Sequence, residues 1–509
     1  AADHSLARFL ASLKVGREVP PSLTQSAAVL SCLLRQGHTC LDWSVAAPER
    51  YAGSRLPAAL VHVVPETLKQ AEAEWEGLEA LVEWQPGDDR GATPLVVQGS
   101  RLMLRSVWRK EWNIARRLQT LALEPATGAT SLSPSVDALL SLQDELQRRA
   151  CEHALQHSLT VVCGGPGTGK TYTAARMLAV LHAAWQKDRP LRVATAAPTG
   201  KAAARLRQSL QSALQETEFQ SWAKSLPPST TLHALLGARG HSSPTKPWKH
   251  HAQRPLALDV LIIDEASMLD IDLMAATLDA LPRGARLILL GDPAQLASVE
   301  AGSVLAEIKH SSLHRHVITL ERGWRMSGPV MGLAAALRER QVAEALSLLH
   351  QHESEAQGLQ DQQTNAPEAA LKWRRSCTPQ NVAQEAASDQ GYRSYLHQVR
   401  SAQAAGSPEE FSAKALEALK AFDDYRVLAA VRQGAWGVEG LNRVIEDQLV
   451  KAGLIQPHPL CPLGRPLLIT RNAPDLDLFN GDVGLALVPP GEQLPQLFLR
   501  DAQGHLRSV

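Results

Sequence analysis

The sequence predicts an α/β fold organised around a parallel sheet, and three observations predict it. From about residue 135 to 310, short apolar runs alternate with helical stretches. Three of those runs, Leu159-Thr160-Val161-Val162, Val260-Leu261-Ile262-Ile263 and Leu287-Ile288-Leu289-Leu290, each end in a polar turn containing glycine or an acid. The first turn is unusually rich in glycine and leads straight into an apolar-periodic helix, Thr171 to Trp185. In open α/β sheets, ligands sit at the carboxyl ends of the strands.

Length and charge bound the reading. At about 150 residues per domain, 509 residues correspond to roughly three domains. Lys+Arg 52 balance Asp+Glu 52, which excludes a uniformly basic nucleic-acid coat and an acidic disordered tail. Any nucleic-acid surface must then be local. Cys32, Cys40, Cys151, Cys163, Cys377 and Cys461 are scattered, with no CxxC pair and no Cys/His cluster at zinc spacing. Reduced thiols in a cytoplasmic protein are the expectation. No apolar run approaches the roughly 18 residues of a membrane span. The chain opens Ala1-Ala2-Asp3-His4 without Met, which predicts a start inside a longer chain.

Taken in order, residues 1 to 118 form a first unit, with short helices predicted over Leu6 to Leu13 and Ala27 to Leu34. The segment Arg101 to Arg117 reads as an amphipathic basic helix, with Arg101, Arg105, Arg109, Lys110, Arg116 and Arg117 interleaved with Trp108 and Trp112. It is either a solvated face or a DNA or partner contact. Residues 119 to 134, rich in Ser, Thr, Pro and Gly, read as a linker. The alternating α/β pattern then runs from 135 to 310. Within the next segment, 311 to 430, the Gln-rich stretch 351 to 367 has little core potential and reads as a flexible connection. From 431 to 509, apolar strands and the turn signals Asn480-Gly481 and Pro489-Pro490-Gly491 predict a small β-rich unit.

Gly164-Gly165-Pro166-Gly167-Thr168-Gly169-Lys170-Thr171 fits the phosphate loop G-x-x-x-x-G-K-[ST]. Glycines let backbone N–H groups close around phosphates, and the following helix turns its positive end towards them. Lys170 adds a point charge and the Thr171 hydroxyl is a ligand for Mg²⁺. Asp264 and Glu265 close the strand Val260 to Ile263; one carboxylate there can hold Mg²⁺ and the other can polarise water. Gln295, in Gly291-Asp292-Pro293-Ala294-Gln295-Leu296, is either a γ-phosphate sensor or an exposed turn residue. These features predict a P-loop NTPase that uses ATP and Mg²⁺, without saying what the energy does.

Further segments are Gln147 on a helix ahead of the loop, Ala197-Pro198-Thr199-Gly200-Lys201-Ala202-Ala203, Thr231-Leu232-His233-Ala234-Leu235-Leu236-Gly237 and Trp324-Arg325. In this order they resemble the motif series of superfamily 1 helicases. More narrowly, the chain resembles the RecD family, the alpha subunits of bacterial exodeoxyribonuclease V (RecBCD). That narrower likeness rests on His250 to Leu256 running into Asp259-Val260, Ala297 to Gly302, Gly437 to Asn442 and Phe479 to Gly484. It is strongest from about 145 to 340 and resumes from about 425.

The resemblance implies a P-loop NTPase with two RecA-like parallel-sheet motor domains, a mainly helical N-terminal domain and a small β-rich C-terminal insertion. Residues 1–118 would dock a partner. The first motor domain would span 135–310 with a DNA-side insert near 237–254, and 311–430 would be part of the second. By the same resemblance Gln147 would read adenine, Lys170 and Thr171 the phosphates and Mg²⁺, Asp264 would hold Mg²⁺ and Glu265 would activate water. Gln295 and Arg325 would sense the γ-phosphate, and Thr199, Lys201, Thr231 and His233 would face DNA. The stretch Gly237 to Arg254 falls where related helicases carry a hairpin near the strand fork; an ordinary basic surface loop fits equally. The implied work is ATP-driven 5′→3′ movement on single-stranded DNA and unwinding of double-strand ends, beside RecB-like and RecC-like subunits in a heterotrimer, with no membrane. The chain stops before the positions of the family's last two motifs, one of which supplies an arginine to the γ-phosphate. As it stands it is therefore also expected to bind ATP with little hydrolysis, as a structural or regulatory subunit.

Overall fold

The computed structural model describes residues 2–13, 16–45, 64–126, 128, 140, 144–215, 220–238, 248–295, 302–320, 328–352, 371–455, 461–470, 473, 476, 478, 481–500 and 504–509. The chain divides into two compact units, Ala1–Pro198 with Ser209–Gly323, and Thr199–Gln208 with Trp324–Val509.

The first unit opens with helices α1 (Ala2–Ser12) and α2 (Pro21–Leu34), strand β1 (Leu41–Asp42), helix α3 (Leu68–Glu74), and strands β2 (Val82–Trp84), β3 (Leu95–Gln98) and β4 (Arg101–Leu104). The strands form a sheet in the order β1-β4-β3-β2. Leu23, Leu30, Trp75, Val97 and Leu102 fill its core. The fully buried Trp75 ring places its indole N–H on Ser22 Oγ at 3.1 Å, which satisfies its polar tip.

The basic segment corrects the expectation of a single helix. Arg101–Leu104 is strand β4, where Arg101 Nε donates to Asp42 Oδ2 at 3.1 Å across the β1 pairing. Helix α4 (Arg105–Leu123) starts after it and runs to Leu123. Its Val107, Ile114, Leu118 and Leu121 join the core of the parallel sheet. Arg105 is buried, donates to the Thr93 carbonyl at 3.1 Å and pairs with Glu83. Lys110 pairs with Asp272, and Arg117 donates to the Leu281 carbonyl at 3.1 Å. Arg105, Lys110 and Arg117 thus serve contacts inside the unit, which neither a solvated face nor an external contact would require.

The parallel sheet follows. Its elements are α5 (Glu145–Gln156), β5 (Leu159–Gly164), α6 (Lys170–Ala183), β6 (Val193–Ala197), α7 (Gly200–Gln215), α8 (Gln220–Ser225), β7 (Thr230–Thr231), α9 (Leu232–Leu236), β8 (Val260–Ile263), α10 (Ile271–Ala280), β9 (Arg286–Gly291), α11 (Val304–His310) and β10 (Val317–Leu320). The strand order is β10-β5-β9-β8-β6-β7, every pairing parallel. All residues of β5, β8 and β9 are buried, which is why these strands read as mostly apolar runs rather than alternating ones. Arg286, 1% exposed at the start of β9, donates to the carbonyls of Ala154 and Leu155 at 3.1 and 3.3 Å and so closes the C-terminal end of α5.

The second unit carries helices α12 (Pro329–Arg338), α13 (Val342–Gln351), α14 (Pro379–Ala386), α15 (Arg393–Gln403), α16 (Pro408–Asp423) and α17 (Val438–Lys451). Strands β11 (Pro466–Leu468), β12 (Val483–Leu487), β13 (Gln496–Arg500) and β14 (Leu506–Ser508) follow as an antiparallel sheet in sequence order. Tyr395, Phe411, Phe422, Leu441, Leu485 and Phe498 share one core. A helix, α17, occupies the start of the segment expected to be β-rich, and the strands come after it. Gly440 explains part of the Gly437 to Asn442 tract: a Cβ there would lie 2.3 Å from the Gly434 carbonyl oxygen. The parallel strands expected of a second motor sheet are not among the described residues of this unit. Among the described residues no helix is long and apolar enough to cross a membrane.

Candidate nucleotide site

The site is assembled at the carboxyl ends of three adjacent strands. Strand β9 lies between β5 and β8, with Cys163 opposite Gly291 and Ile263 opposite Leu289. Gly164, Asp292 and Asp264, the next residues along, therefore emerge at one edge of the sheet. At a strand spacing of about 4.8 Å, β5 and β8 lie roughly 10 Å apart, a span suited to a phosphate chain and its cation.

The loop after β5 needs its glycines for two separate reasons. Gly167 and Gly169 take φ of 78° and 86°, which a side chain disfavours. At Gly164 the obstacle is space, because a Cβ would lie 2.5 Å from Thr168 Oγ1 and 3.0 Å from the Leu320 carbonyl oxygen. Thr168 Oγ1 donates to the Gly165 carbonyl at 2.9 Å and shapes the turn. Lys170 Nζ donates to the carbonyls of Gly164 and Gly165 at 2.8 and 3.0 Å, which sets the ammonium across the loop. Behind it, α6 runs 14 residues with its N-terminus at Lys170, the arrangement that favours an anion. Burial pushes the Cys163 thiol up to about 11, so it stays a protonated, inert neighbour.

Asp264 leaves β8 with its N–H on the Ala196 carbonyl at 2.9 Å, and its Oδ1 accepts the Glu265 N–H at 2.9 Å. Glu265 then adopts a left-handed backbone, φ 52° and ψ 41°. A bulky non-glycine residue in that region is strained, and such strain concentrates at functional sites. Gly291 lets the end of β9 pass close to this turn: a Cβ would meet Leu305 Cδ2 at 2.6 Å and the Ser267 nitrogen at 3.1 Å.

Asp292 is the residue the sequence reading passed over. It is 4% exposed, and its Oδ1 accepts the Ala294 N–H at 3.1 Å. Its carboxyl group lies just past the end of β9, the strand next to the one that carries the phosphate loop. The apolar run followed by Gly291-Asp292 was the available signal.

The other predicted residues fall at defined places. Gln147 is buried at the N-terminus of α5, where Asp144 Oδ1 accepts its N–H at 3.2 Å. Gln295 is exposed beyond β9, its N–H on the Asp292 carbonyl at 3.0 Å. Thr231 pairs with Ala197 across β6 and β7, and its Oγ1 accepts the Ala234 N–H at 3.1 Å as the N-cap of α9. His233 is exposed, with its ring 5.5 Å from that of Trp248. Ala238 and Trp248 bridge antiparallel, so the described ends of the Gly237 to Arg254 excursion are held side by side. In the second unit, Thr199 Oγ1 accepts the Ala202 N–H at 3.2 Å, and Lys201 Nζ donates to the Gly481 carbonyl at 3.2 Å. Arg325, with Trp324, the tract 297–301 and the stretch 353–367, lies outside the described residues.

The donor set fits the groups that the sequence implies. The Gly164 to Thr168 cradle, which a Cβ would fill, and the backbone N–H groups at the start of α6 suit phosphate oxygens. The oxygens of Thr171 and Asp264 are of the hard type that suits Mg²⁺.

Comparison with known proteins bears on the same segments. The model for the N-terminal domain of RecBCD enzyme subunit RecD matches residues 1–102, and an AAA domain model matches residues 142–357. The RecBCD enzyme subunit RecD of Mycolicibacterium smegmatis is 35% identical over 412 residues, covering 78% of this chain and 68% of that protein. The corresponding subunit of Haemophilus influenzae is 30% identical over 438 residues, covering 77% and 66%. The ATP-dependent RecD2 DNA helicase of Deinococcus radiodurans is 32% identical over 264 residues, covering 51% and 33%. The chain thus spans about two thirds of the length of the first two relatives.

Proposed function

The chain belongs to the RecD family of RecBCD enzyme subunits, and from that premise we propose that it is an ATP-dependent DNA helicase subunit of a RecBCD-type complex. It moves 5′→3′ on single-stranded DNA, beside RecB-like and RecC-like subunits in a cytoplasmic heterotrimer that acts on double-strand ends during recombinational repair. The observation that supports this most directly is the convergence of the phosphate loop, Asp264-Glu265 and Asp292 at the ends of adjacent parallel strands.

The position of each described side chain supports a task for it. The N–H groups at the start of α6 and the Lys170 ammonium bind the phosphates of ATP, and the buried end of α5 brings Gln147 to the adenine. Thr171 and Asp264 would hold Mg²⁺, which when bound supplies positive charge that offsets the charge developing on the phosphates. Glu265, held by its strained backbone next to Asp264, accepts a proton from the attacking water. Gln295, exposed beyond β9, reports the γ-phosphate together with Arg325. On the DNA side, Thr199, Lys201, Thr231 and His233 offer hydroxyl and cationic donors to backbone phosphates, which gives grip without sequence preference.

The test is ATP hydrolysis by the complete protein with its partner subunits, with and without short single-stranded DNA, followed by unwinding of duplexes carrying a 5′ or a 3′ tail. Strong stimulation by DNA and Lys170-dependent use of the 5′ tail are expected. Hydrolysis indifferent to DNA would overturn the motor reading and leave a nucleotide switch.

A further inference from the structure

Three imidazoles from two distant parts of the chain meet beside the phosphate-loop strand. His153 and His157 stand one helical turn apart at the C-terminal end of α5, and His316 immediately precedes β10, which pairs with β5. The ring centroids are 4.1 Å apart for His153–His157, 5.2 Å for His153–His316 and 5.1 Å for His157–His316. Ligand-type nitrogens, one from each ring, all lie within 4.8 Å of one another. The spacing H-x-x-x-H was present in the sequence, but its third member lies 159 positions further on, 316 minus 157, so a search for local zinc spacing passes over it.

Two details distinguish this cluster from simple packing of rings. His153 Nδ1 lies 3.0 Å from Thr160 Oγ1, the kind of supporting hydrogen bond that fixes the tautomer of a metal-ligating histidine and leaves Nε2 for the metal. His316 is 2% exposed; its Nε2 accepts from Arg315 Nε at 3.1 Å, while its Nδ1 is buried with no hydrogen-bond partner. A buried imidazole nitrogen without a partner calls for a reason.

We propose that His153, His157 and His316 form a binding site for one divalent transition-metal ion of the zinc type, which ties the end of α5 to the start of β10 beside the phosphate-loop strand. Three imidazoles with water in the fourth position match the donor preference of zinc. Tetrahedral ligation at about 2.0–2.1 Å places ligand nitrogens roughly 3.4 Å apart, so the rings close in by about 1 Å, a movement that half-buried His157 can make. Ligation through His316 Nδ1 moves its proton to Nε2, and the exposed Arg315 side chain then turns to solvent.

The test uses the complete protein, stripped with chelator and free of nucleotide, dialysed against Zn²⁺ and assayed for bound metal. One zinc per chain is expected, with a higher Tm than the stripped protein. His157→Ala and His153→Gln should each weaken zinc binding at least about tenfold, a loss that even a supporting residue of a metal site produces. Co²⁺ added to the unaltered protein should give visible absorption without a thiolate charge-transfer band, a reading that does not depend on the variants folding. No stoichiometric zinc, zinc affinity in both variants equal to that of the unaltered protein, or a thiolate band would each overturn the site and leave the three rings as core packing.

Discussion

Asp264 Oδ1 accepts the backbone N–H of Glu265 at 2.9 Å while Glu265 itself sits in the left-handed region at φ 52°. The Asp264 carboxylate thus helps hold the Glu265 backbone in a conformation that a bulky residue does not choose alone. The proposed division gives the cation to Asp264 and the attacking water to Glu265. Glu265→Gln should therefore lower ATP hydrolysis by about 10²–10⁴-fold while nucleotide binding stays within a factor of a few. Steady-state hydrolysis beside binding of a fluorescent nucleotide separates the two; a parallel loss of binding would remove Glu265 from the water-activating role.

Lys170 spans the loop carbonyls of Gly164 and Gly165, so it is placed by the loop it serves. Lys170→Ala should lower hydrolysis by at least about 10²-fold, the scale for losing one preorganised charge-stabilising donor. Unwinding should vanish, and assembly with the partner subunits should persist on size-exclusion chromatography. Retained ATP-dependent unwinding would move the site elsewhere.

Much of this site was legible because buried parallel strands leave little choice of pattern. The runs 159–162, 260–263 and 287–290 fall in β5, β8 and β9, every residue of which is buried, so apolar residues dominate them instead of alternating with polar ones. The N-terminal sheet was not legible. Strands of two to four residues, such as Leu41–Asp42 and Arg101–Leu104, are too short to show a period of two. Charge misled as well: Arg105 lies in a cluster that looks solvated, yet it is buried against Glu83 and Thr93, a pairing made across the sheet that no local window contains. The histidine trio was hidden for the same reason, since His316 reaches α5 only through the pairing of β10 with β5.

Gly164 is held by space rather than by φ. Gly164→Ala would press a methyl against Thr168 Oγ1 and the Leu320 carbonyl, which belongs to the neighbouring strand and cannot swing away. Destabilisation of about 1–3 kcal/mol is expected, as for other overpacked positions, together with weaker ATP binding because the Thr168 turn must shift. Thermal melting and nucleotide titration check the two effects; an unchanged Tm would show that the loop yields freely.

Asp259 precedes β8 and accepts from Arg189 at 2.5 and 2.6 Å and from the Arg192 backbone N–H at 3.0 Å. Burial works to raise its pKa, but these hydrogen bonds outweigh it and hold the carboxyl well below the usual range. A depressed folded-state pKa contributes stability that is present above the unfolded value, near 3.8, and is lost as pH falls through the folded one. Asp259→Asn should accordingly lower Tm at neutral pH, and the gap to the unaltered protein should narrow below about pH 4. A gap that stays constant from pH 7 to pH 3 would contradict the assignment.

Lys201 separates the DNA reading from a purely structural one. It is exposed on α7, and its Nζ donates to the carbonyl of Gly481, a residue at φ 97°. If its only task were that hydrogen bond, Lys201→Ala would lower Tm slightly and leave DNA affinity and its salt dependence alone. If the ammonium instead contacts a phosphate, the variant should bind single-stranded DNA more weakly at low salt, and the slope of log affinity against log salt should fall by about 0.7. The difference should shrink at high salt, where little counterion-release advantage remains. Anisotropy titrations of a labelled oligonucleotide across a salt series measure both quantities. An unchanged slope beside a lower Tm would return Lys201 to a structural role.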